Sequence, residues 1–215
     1  MTQTFVVVDD HESVLSGTVA VLQKEYPEAK IFTASTAQAA QEQVQSTSPD
    51  AVVMDLSIPA TPKDTAQTET GIQLLRTLMQ QYPTLNIVVQ SAHVRSLVRV
   101  KPLIDTHEGG FTIADKSLPL KEMLTKVDWA IQGLIYTPRE MRTGLEVKPE
   151  WLNVLIFAFQ EGLQDKAIAE RINVSERTVR HYWTKVQDAL DVYPDEGKNI
   201  RIQTEIRARE EGLID

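Results

Sequence analysis

One apolar run, Ala51-Val52-Val53-Met54 followed by Asp55-Leu56-Ser57-Ile58-Pro59, decides the fold of this 215-residue chain. The run is short, apolar and bounded by turn formers, a pattern that predicts a buried strand of a parallel sheet. Asp55 then lies at the carboxyl end of that strand. Because ligands of open α/β sheets bind at this edge, Asp55 is the first candidate site residue.

A second run of the same kind, Phe5-Val6-Val7-Val8, ends in Asp9-Asp10. If both strands belong to one sheet, three carboxylates meet at one edge, which is costly unless a cation neutralises them. Carboxylate oxygens are ligands that suit Mg²⁺. An Asp at a strand end is often only the N-cap of the next helix, but that explanation accounts for one of the three acids.

Short β-type runs alternate with segments of helical spacing up to about residue 136. The predicted strands are residues 5–8, 30–33, 51–54, 86–90 and 110–113, and the predicted helices are residues 12–25, 37–45, 71–82, 94–106 and 120–134. Strands and helices in strict alternation predict an α/β fold with a five-stranded, doubly wound parallel sheet.

Two further polar residues, Ser91 and Lys116, follow the fourth and fifth predicted strands. Either one alone is commonplace as an exposed residue after a strand. Combined with Asp9, Asp10 and Asp55 at the same edge, they predict a site for an oxyanion held beside a metal ion. Lysine would act there as a point charge and serine as a hydrogen-bond donor.

Composition excludes several classes of function. The chain has no cysteine and a formal net charge of −8. Disulfides, thiolate catalysis and cysteine zinc sites are therefore excluded, and indiscriminate binding to nucleic acid is disfavoured, although a local basic helix is still compatible. No segment resembles a signal peptide and no apolar run approaches a membrane span, so we expect a soluble, cytoplasmic protein with no membrane partner.

A second, smaller domain is predicted after residues 136–148, which mix charge, Pro and Gly and form a predicted linker. Pro149 suits the first position of a helix. Residues 165–172 form a short amphipathic helix, and Ser175 is a good N-cap for the next one. Two helices joined by a short turn, the second rich in Arg, Thr and His, predict a helix-turn-helix within an all-α domain of residues 149–215.

The order of acids, hydroxyl and lysine resembles the receiver domain of two-component response regulators over roughly residues 4–134, within a predicted domain of residues 1–135. The resemblance implies a flavodoxin-like receiver fold, phosphorylation by a cognate histidine kinase and Mg²⁺ as cofactor. It assigns Asp55 as the phosphoryl acceptor, Asp9, Asp10, Asp55 and the backbone carbonyl of Ser57 to the metal, and Ser91 and Lys116 to the phosphoryl group.

Three features depart from that family's pattern. Residues 60–70 are longer than the usual turn after the acceptor, and as a polar loop they would gate phosphate entry, recognise a kinase or be a tolerated surface insertion. Ile113 takes the place of the usual switch aromatic. Ser117, where proline is common, follows the lysine.

The helix-turn-helix block resembles the output domain of LuxR-type (NarL/FixJ) regulators. The matching stretches are Gly162-Leu163, Lys166-Ala167-Ile168-Ala169, Val174-Ser175-Glu176-Arg177-Thr178-Val179-Arg180, Arg201-Ile202-Gln203 and Glu211-Gly212-Leu213-Ile214. We expect core packing from Ala169, Ile172, Val174 and Val179. The resemblance implies DNA contacts from Lys166, Arg177, Thr178, Arg180, His181, Thr184 and Lys185, although for the less central of these positions a solvated helix face is an equally simple explanation. Tyr182 replaces a common histidine.

The sequence thus predicts a phosphorylation-controlled, DNA-binding transcriptional regulator and not an enzyme, with double-stranded DNA as partner and a homodimer on DNA. A receiver-type adaptor that binds a partner protein without sequence-specific DNA binding is the alternative. A phosphate-ester hydrolase is a third hypothesis, but its second acid, two residues after the nucleophile, is missing because Ser57 stands there.

Overall fold

The computed structural model describes residues 2–117, 119–137 and 147–215. Within these ranges the chain forms two compact units, residues 2–94 with 100–137, and residues 95–99 with 147–215. No helix among the described residues has the length and apolar character to cross a membrane.

The first unit is an α/β layer structure with a parallel sheet. Its strands are β1 Thr4–Val8, β2 Lys30–Ala34, β3 Ala51–Met54, β4 Asn86–Ser91, β5 Phe111–Asp115 and β6 Ile135–Tyr136. Its helices are α1 Glu12–Glu25, α2 Ala37–Thr47, α3 Thr68–Gln81, α4 Lys101–Asp105 and α5 Leu120–Ile131. The strands lie in the order β2-β1-β3-β4-β5-β6. The predicted α/β class and parallel sheet are confirmed.

The predicted count of five strands was wrong, because the described part of the sheet has six. The additional strand, β6, pairs with β5 through Phe111↔Ile135 and Thr112↔Tyr136. A strand of two residues is too short to show an alternating pattern in the sequence. It forms because the edge of β5 offers unpaired backbone groups, such as the Phe111 N–H that donates to Leu134 O at 3.0 Å. Residues 138–146 of the predicted linker lie outside the described residues.

The segment predicted as one helix over residues 94–106 is divided in two. A 3₁₀ helix spans Val94–Val100, and α4 follows with Pro102 in its first turn. Proline has no N–H to donate to the carbonyl four residues earlier and its ring clashes with that carbonyl. A continuous α-helix through this point is therefore excluded.

The core of the first unit lies between the sheet and its helices. Three central strands, β1, β3 and β4, are almost completely buried, as expected for a sheet covered on both faces. One cluster of buried side chains joins strands to α1 and α5, and it includes Phe5, Leu22, Val53, Val88, Met123 and Val127. This packing holds the strand ends, and the side chains that follow them, in fixed positions.

Gly71 lets α3 lie directly on the chain that follows β3. A Cβ at this position would lie 2.0 Å from Leu56 O and 2.4 Å from Leu56 Cα, both backbone atoms. No side chain fits at such distances. The helix therefore supports the residue next to Asp55 through a contact that only glycine permits.

The second unit is helical in its described part. It contains α6 Pro149–Phe159, α7 Asp165–Arg171, α8 Glu176–Ala189 and α9 Ile200–Glu210. The predicted N-cap is confirmed, since the Ser175 side chain accepts a hydrogen bond from the Thr178 N–H at 3.1 Å. The predicted core residues are confirmed as well: Ala169 and Val179 are buried, and Ile172 and Val174 pack against the same cluster.

Replacing Gly71 with alanine is expected to destabilise the first unit, because the methyl group would force α3 away from Leu56. The expected cost is about 1–3 kcal/mol in the free energy of unfolding, larger than the gain in helix propensity. Urea unfolding followed by circular dichroism measures the loss, and hydrogen exchange of β3 and α3 peptides assigns it. Gln80→Ala, at an exposed position of α3, is the control; equal stability of the two variants would contradict the role given to Gly71.

Candidate functional site

The strand register brings the predicted site residues to one edge of the sheet. Val8, the last residue of β1, pairs with Met54, the last residue of β3. The Asp55 N–H then donates to Val8 O at 2.9 Å, so Asp9 and Asp55 follow neighbouring strand ends. On the other side, β4 and β5 end together at the pair Ser91↔Asp115, which places Lys116 at the same edge.

Lys116 joins the two acids. Its Nζ donates to Asp9 Oδ2 at 2.6 Å and to Asp55 Oδ2 at 2.8 Å. Both carboxylate side chains are only 5% exposed, and the lysine side chain is 18% exposed. Two nearly buried carboxylates would repel each other, so the ammonium group between them compensates the charge. The remaining oxygen of Asp55, Oδ1, accepts the Leu56 N–H at 2.7 Å.

The protonation of Lys116 follows from two opposing effects. Partial burial favours the neutral amine and by itself lowers the lysine pKa. The hydrogen bonds from Asp55 and Asp9, together with their negative charges, outweigh burial and raise the pKa of Lys116 above its ordinary value. Lys116 therefore stays a cation throughout the neutral range.

The residues at the start of α1 fit a divalent cation. Asp9, Asp10 and His11 each offer a ligand atom, and these atoms lie within 4.8 Å of one another. Within the described ranges, Asp10 Oδ1 is buried and has no hydrogen-bond partner. A buried carboxylate oxygen without a donor needs another positive partner, and hard oxygen ligands suit Mg²⁺. The donor set thus agrees with the predicted metal site at Asp9 and Asp10.

The two predicted serines are placed differently. Ser91 is fully buried at the end of β4, and its hydroxyl accepts the His93 N–H at 3.1 Å. Ser57 is half-buried, two residues after Asp55. The Lys116 N–H donates to Ser91 O at 3.4 Å, so the serine and the lysine are neighbours through the backbone.

The long segment that follows β3 and Asp55 is folded. Ile58 and Gln67 form an antiparallel bridge, with the Gln67 N–H donating to Ile58 O at 3.1 Å. Between them, Asp64 Oδ2 accepts both the N–H and the hydroxyl of Thr61, at 2.9 and 2.7 Å. The segment between Ile58 and Gln67 is therefore a small closed loop with its own hydrogen bonds, shortly after Asp55 in the chain.

The candidate DNA contacts divide by exposure. Lys166, Arg177, Arg180, His181 and Thr184 are exposed, whereas Thr178 and Lys185 are half-buried. On α8, residues 177, 180, 181 and 184 share one face because they are three, four and seven positions apart. Thr178 already serves the N-cap, since its hydroxyl lies 2.9 Å from Ser175 Oγ.

Three residues hold α8 against its neighbouring helices. Asp165, the first residue of α7, accepts the Trp183 Nε1–H at 3.0 Å. Arg201 of α9 donates to both oxygens of Asp165, at 3.2 and 2.9 Å, and its guanidinium lies 3.6 Å from the centre of the Trp183 ring. The acid is therefore neutralised inside the second unit, and the orientation of α8 is set by polar contacts as well as by apolar packing.

Sequence reasoning missed His11 as a possible metal ligand and missed the contact between Asp165, Trp183 and Arg201. Asp165 was visible as an acid at a helix start, and Arg201 lay in a matching stretch of the LuxR-type pattern. Nothing in their spacing connects residues 18 and 36 positions apart. His11 directly follows the two acids, and this adjacency was the available signal.

Lys116→Ala is expected to destabilise the metal-free protein by about 3 kcal/mol, since it leaves Asp9 and Asp55 buried without a cation. Added Mg²⁺ should restore more stability to this variant than to the wild type, because the ion takes over the neutralisation. Thermal unfolding with and without Mg²⁺ measures both effects. Lys101→Ala, which removes an exposed ion pair with Asp105, should change stability little. A Lys116→Ala protein as stable as wild type without Mg²⁺ would contradict this view of the site.

Known proteins share both the sequence pattern and the fold. A family model, the response regulator receiver domain, matches residues 5–128. The DNA-binding transcriptional activator DevR/DosR of Mycobacterium tuberculosis is 23% identical over 192 residues, covering 84% of each chain. The transcriptional activator protein ExaE of Pseudomonas putida is 24% identical over 201 residues, covering 86% of this chain and 89% of that protein.

Solved structures show the same fold along nearly the whole chain. RcsB from Salmonella enterica serovar Typhimurium, bound to promoter rprA in the presence of phosphomimetic BeF3⁻, has a TM-score of 0.59 at 18% identity and covers 97% of this chain and 99% of its own. Another structure of RcsB from Salmonella typhimurium has a TM-score of 0.61 at 20% identity, covering 97% of this chain and all of that one. The receiver model matches more than half of the sequence, and this chain belongs to the response regulator receiver family.

Proposed function

We propose that this chain is a phosphorylation-controlled, DNA-binding transcriptional regulator in which a histidine kinase phosphorylates Asp55. The observation that carries the proposal is the pair of hydrogen bonds from Lys116 to Asp9 and Asp55 at the carboxyl edge of the sheet. The names of the relatives support a role in transcription, since both are transcriptional activators.

The proposed domains are a receiver of residues 1–135, a linker of residues 136–148 and a LuxR-type helix-turn-helix domain of residues 149–215. β6 supports a linker that starts at the edge of the sheet. The helix pair α7 and α8, with its capped turn, supports the output domain. The proposed place of action is the cytoplasm, where the DNA is.

Phosphoryl transfer needs an oxygen nucleophile and compensation of charge. An oxygen of Asp55 forms the new bond to phosphorus while the bond between phosphorus and the kinase histidine breaks, and that histidine keeps the electron pair. During the transfer, negative charge moves from the carboxylate to the phosphoryl oxygens. Lys116 can stabilise this charge, because its ammonium group already donates to Asp55. Asp9, Asp10, Asp55 and the carbonyl of Ser57 would hold Mg²⁺, which supplies charge neutralisation when bound.

Phosphorylation would control DNA binding by shifting the population between two conformations of the protein. Lys116 is shared between Asp9 and Asp55 before phosphorylation. A phosphoryl group on Asp55 competes for the ammonium and offers an acceptor for the Ser91 hydroxyl, which otherwise accepts from the His93 backbone. The segment that begins after β4 is thereby biased toward a second arrangement, and DNA binding is favoured in that state.

DNA recognition is assigned to α8 and the start of α7. Arg180 and His181 would contact base edges, and Lys166, Arg177, Thr178, Thr184 and Lys185 would contact phosphate or bases. The negative charge of Asp165 does not oppose DNA binding, because the guanidinium group of Arg201 compensates that charge. One such helix gives weak binding, so two copies on a repeated half-site are proposed.

An adaptor that binds a protein without specific DNA binding is the second candidate. The formal net charge of −8 favours it. So do the acids near the proposed DNA contacts, since Glu176 lies 3.4 Å from Arg180 and Asp188 lies 3.8 Å from Lys185. Sequence-selective DNA binding separates the two functions.

Asp55→Asn is expected to abolish the response to phosphorylation. Wild-type protein treated with acetyl phosphate and Mg²⁺ should enrich a repeated motif from genomic fragments more strongly than untreated protein, and the variant should not change. Asp105→Asn, at an exposed acid of α4, is the control. A full phosphorylation response in Asp55→Asn would refute the proposal, and no enrichment in any state would favour the adaptor.

Arg180→Ala is expected to weaken binding to the selected motif by about 1–3 kcal/mol and to relax the preference at one base position. Fluorescence anisotropy with the motif and with single-base variants of it measures both effects. Lys198→Ala, whose partner is Asp195 in the loop before α9, should leave affinity and preference unchanged. Equal loss on all sequences would mean that Arg180 contacts only phosphate.

A further inference from the structure

His11 lies against the two acidic residues that precede it, Asp9 and Asp10. Its Nδ1 is 2.8 Å from Asp10 Oδ1 and 3.5 Å from Asp9 Oδ1, and its side chain is 64% exposed. His11 is the N-cap residue of α1, yet its side chain makes no capping hydrogen bond. The imidazole therefore contacts the acids without capping the helix, and its exposure leaves it accessible to an ion from solvent.

The short contact between His11 and Asp10 is not a hydrogen bond. Among the described residues, Asp10 Oδ1 has no hydrogen-bond partner, although the imidazole nitrogen is well within range. The two atoms thus approach without the alignment that a shared proton requires. Ligands at right angles around an ion with bonds of about 2.1 Å lie roughly 3 Å apart. The separation of Asp10 Oδ1 and His11 Nδ1 is close to that value.

The other acid is already oriented by the chain. Asp9 Oδ1 accepts the His11 N–H at 2.9 Å, and Asp9 Oδ2 accepts from Lys116. Each Asp9 oxygen keeps a free lone pair, but its direction is set by these donors. Asp10 and His11 therefore form the side of the site that can adjust to an ion.

We propose that His11 is a direct ligand of the divalent-cation site and gives it a mixed nitrogen and oxygen donor set. This inference rests on the metal site of the proposed function. Imidazole nitrogen binds first-row transition-metal ions more favourably than it binds Mg²⁺, which prefers oxygen. The site accordingly takes Mn²⁺ more tightly than Mg²⁺, and His11 is the residue responsible for the difference.

Mn²⁺ and Mg²⁺ binding to the full chain tests the inference without any activity measurement. Pulsed electron paramagnetic resonance of the Mn²⁺ complex detects coupling to a bound ¹⁴N nucleus, and calorimetry gives both affinities. His11→Asn removes the imidazole and keeps a residue suited to an N-cap, so α1 should stay folded. His93→Asn, at another exposed histidine near the strand ends, is the matched control.

The expected result is ¹⁴N coupling in the wild type and in His93→Asn, and no coupling in His11→Asn. Mn²⁺ affinity should fall by about tenfold or more in His11→Asn. Removal of a residue that only hydrogen-bonds to a metal ligand already costs about this much affinity, and loss of a direct ligand should cost at least as much. Mg²⁺ affinity should change by less than about threefold, since Mg²⁺ gains little from imidazole.

Absence of ¹⁴N coupling in the wild type, or coupling that persists in His11→Asn, would overturn the role of His11. Asp10→Asn separates this failure from a failure of the metal site itself. If Asp10→Asn loses both ions while His11→Asn keeps normal Mn²⁺ binding, the metal site stands and the histidine ligand is refuted. If Asp10→Asn binds both ions like the wild type, the metal site assigned to Asp10 fails, and the inference about His11 fails with it.

Discussion

The ammonium group of Lys116 between Asp9 and Asp55 is the interaction on which the receiver site depends. Three strands have to end at one edge for these side chains to meet, and the register of β1, β3 and β5 achieves this. Two nearly buried carboxylates are tolerable only because a cation lies between them. The same arrangement makes the site responsive, because any ligand that alters the charge on Asp55 changes what Lys116 binds.

The chain that follows Asp55 is held by several contacts. Gly71 allows the backbone of α3 to touch Leu56, and the loop closed by Ile58 and Gln67 follows directly. The insertion is joined to the start of α2 as well, through the Gln38 N–H that donates to Ala60 O at 3.2 Å. The closed loop thus forms a defined surface close to Asp55 in the chain.

In the second unit, one face of α8 packs against neighbouring helices and the other face exposes polar side chains. Apolar packing of Val179, Trp183 and Val186 holds one side of α8. The contact of Asp165 with Trp183 and Arg201 then neutralises the acid at the start of α7. Arg177, Arg180 and His181 are exposed on the outer face of α8, where Glu176 lies 3.4 Å from Arg180.

The sequence by itself determined the α/β class, the positions of the main strands along the chain, the strand-end positions of Asp9, Asp55 and Lys116, and the capped helix pair. These features follow from local apolar runs, turn formers and an N-cap, which act over a few residues. Only the tertiary structure decided that β6 joins the sheet, that Lys116 binds both acids, that His11 faces Asp10, and that Asp165 meets Trp183 and Arg201. Each of these contacts depends either on residues far apart in sequence or on the direction of a side chain. Packing of whole helices and strands decides both, and the periodicity of the sequence does not predict them.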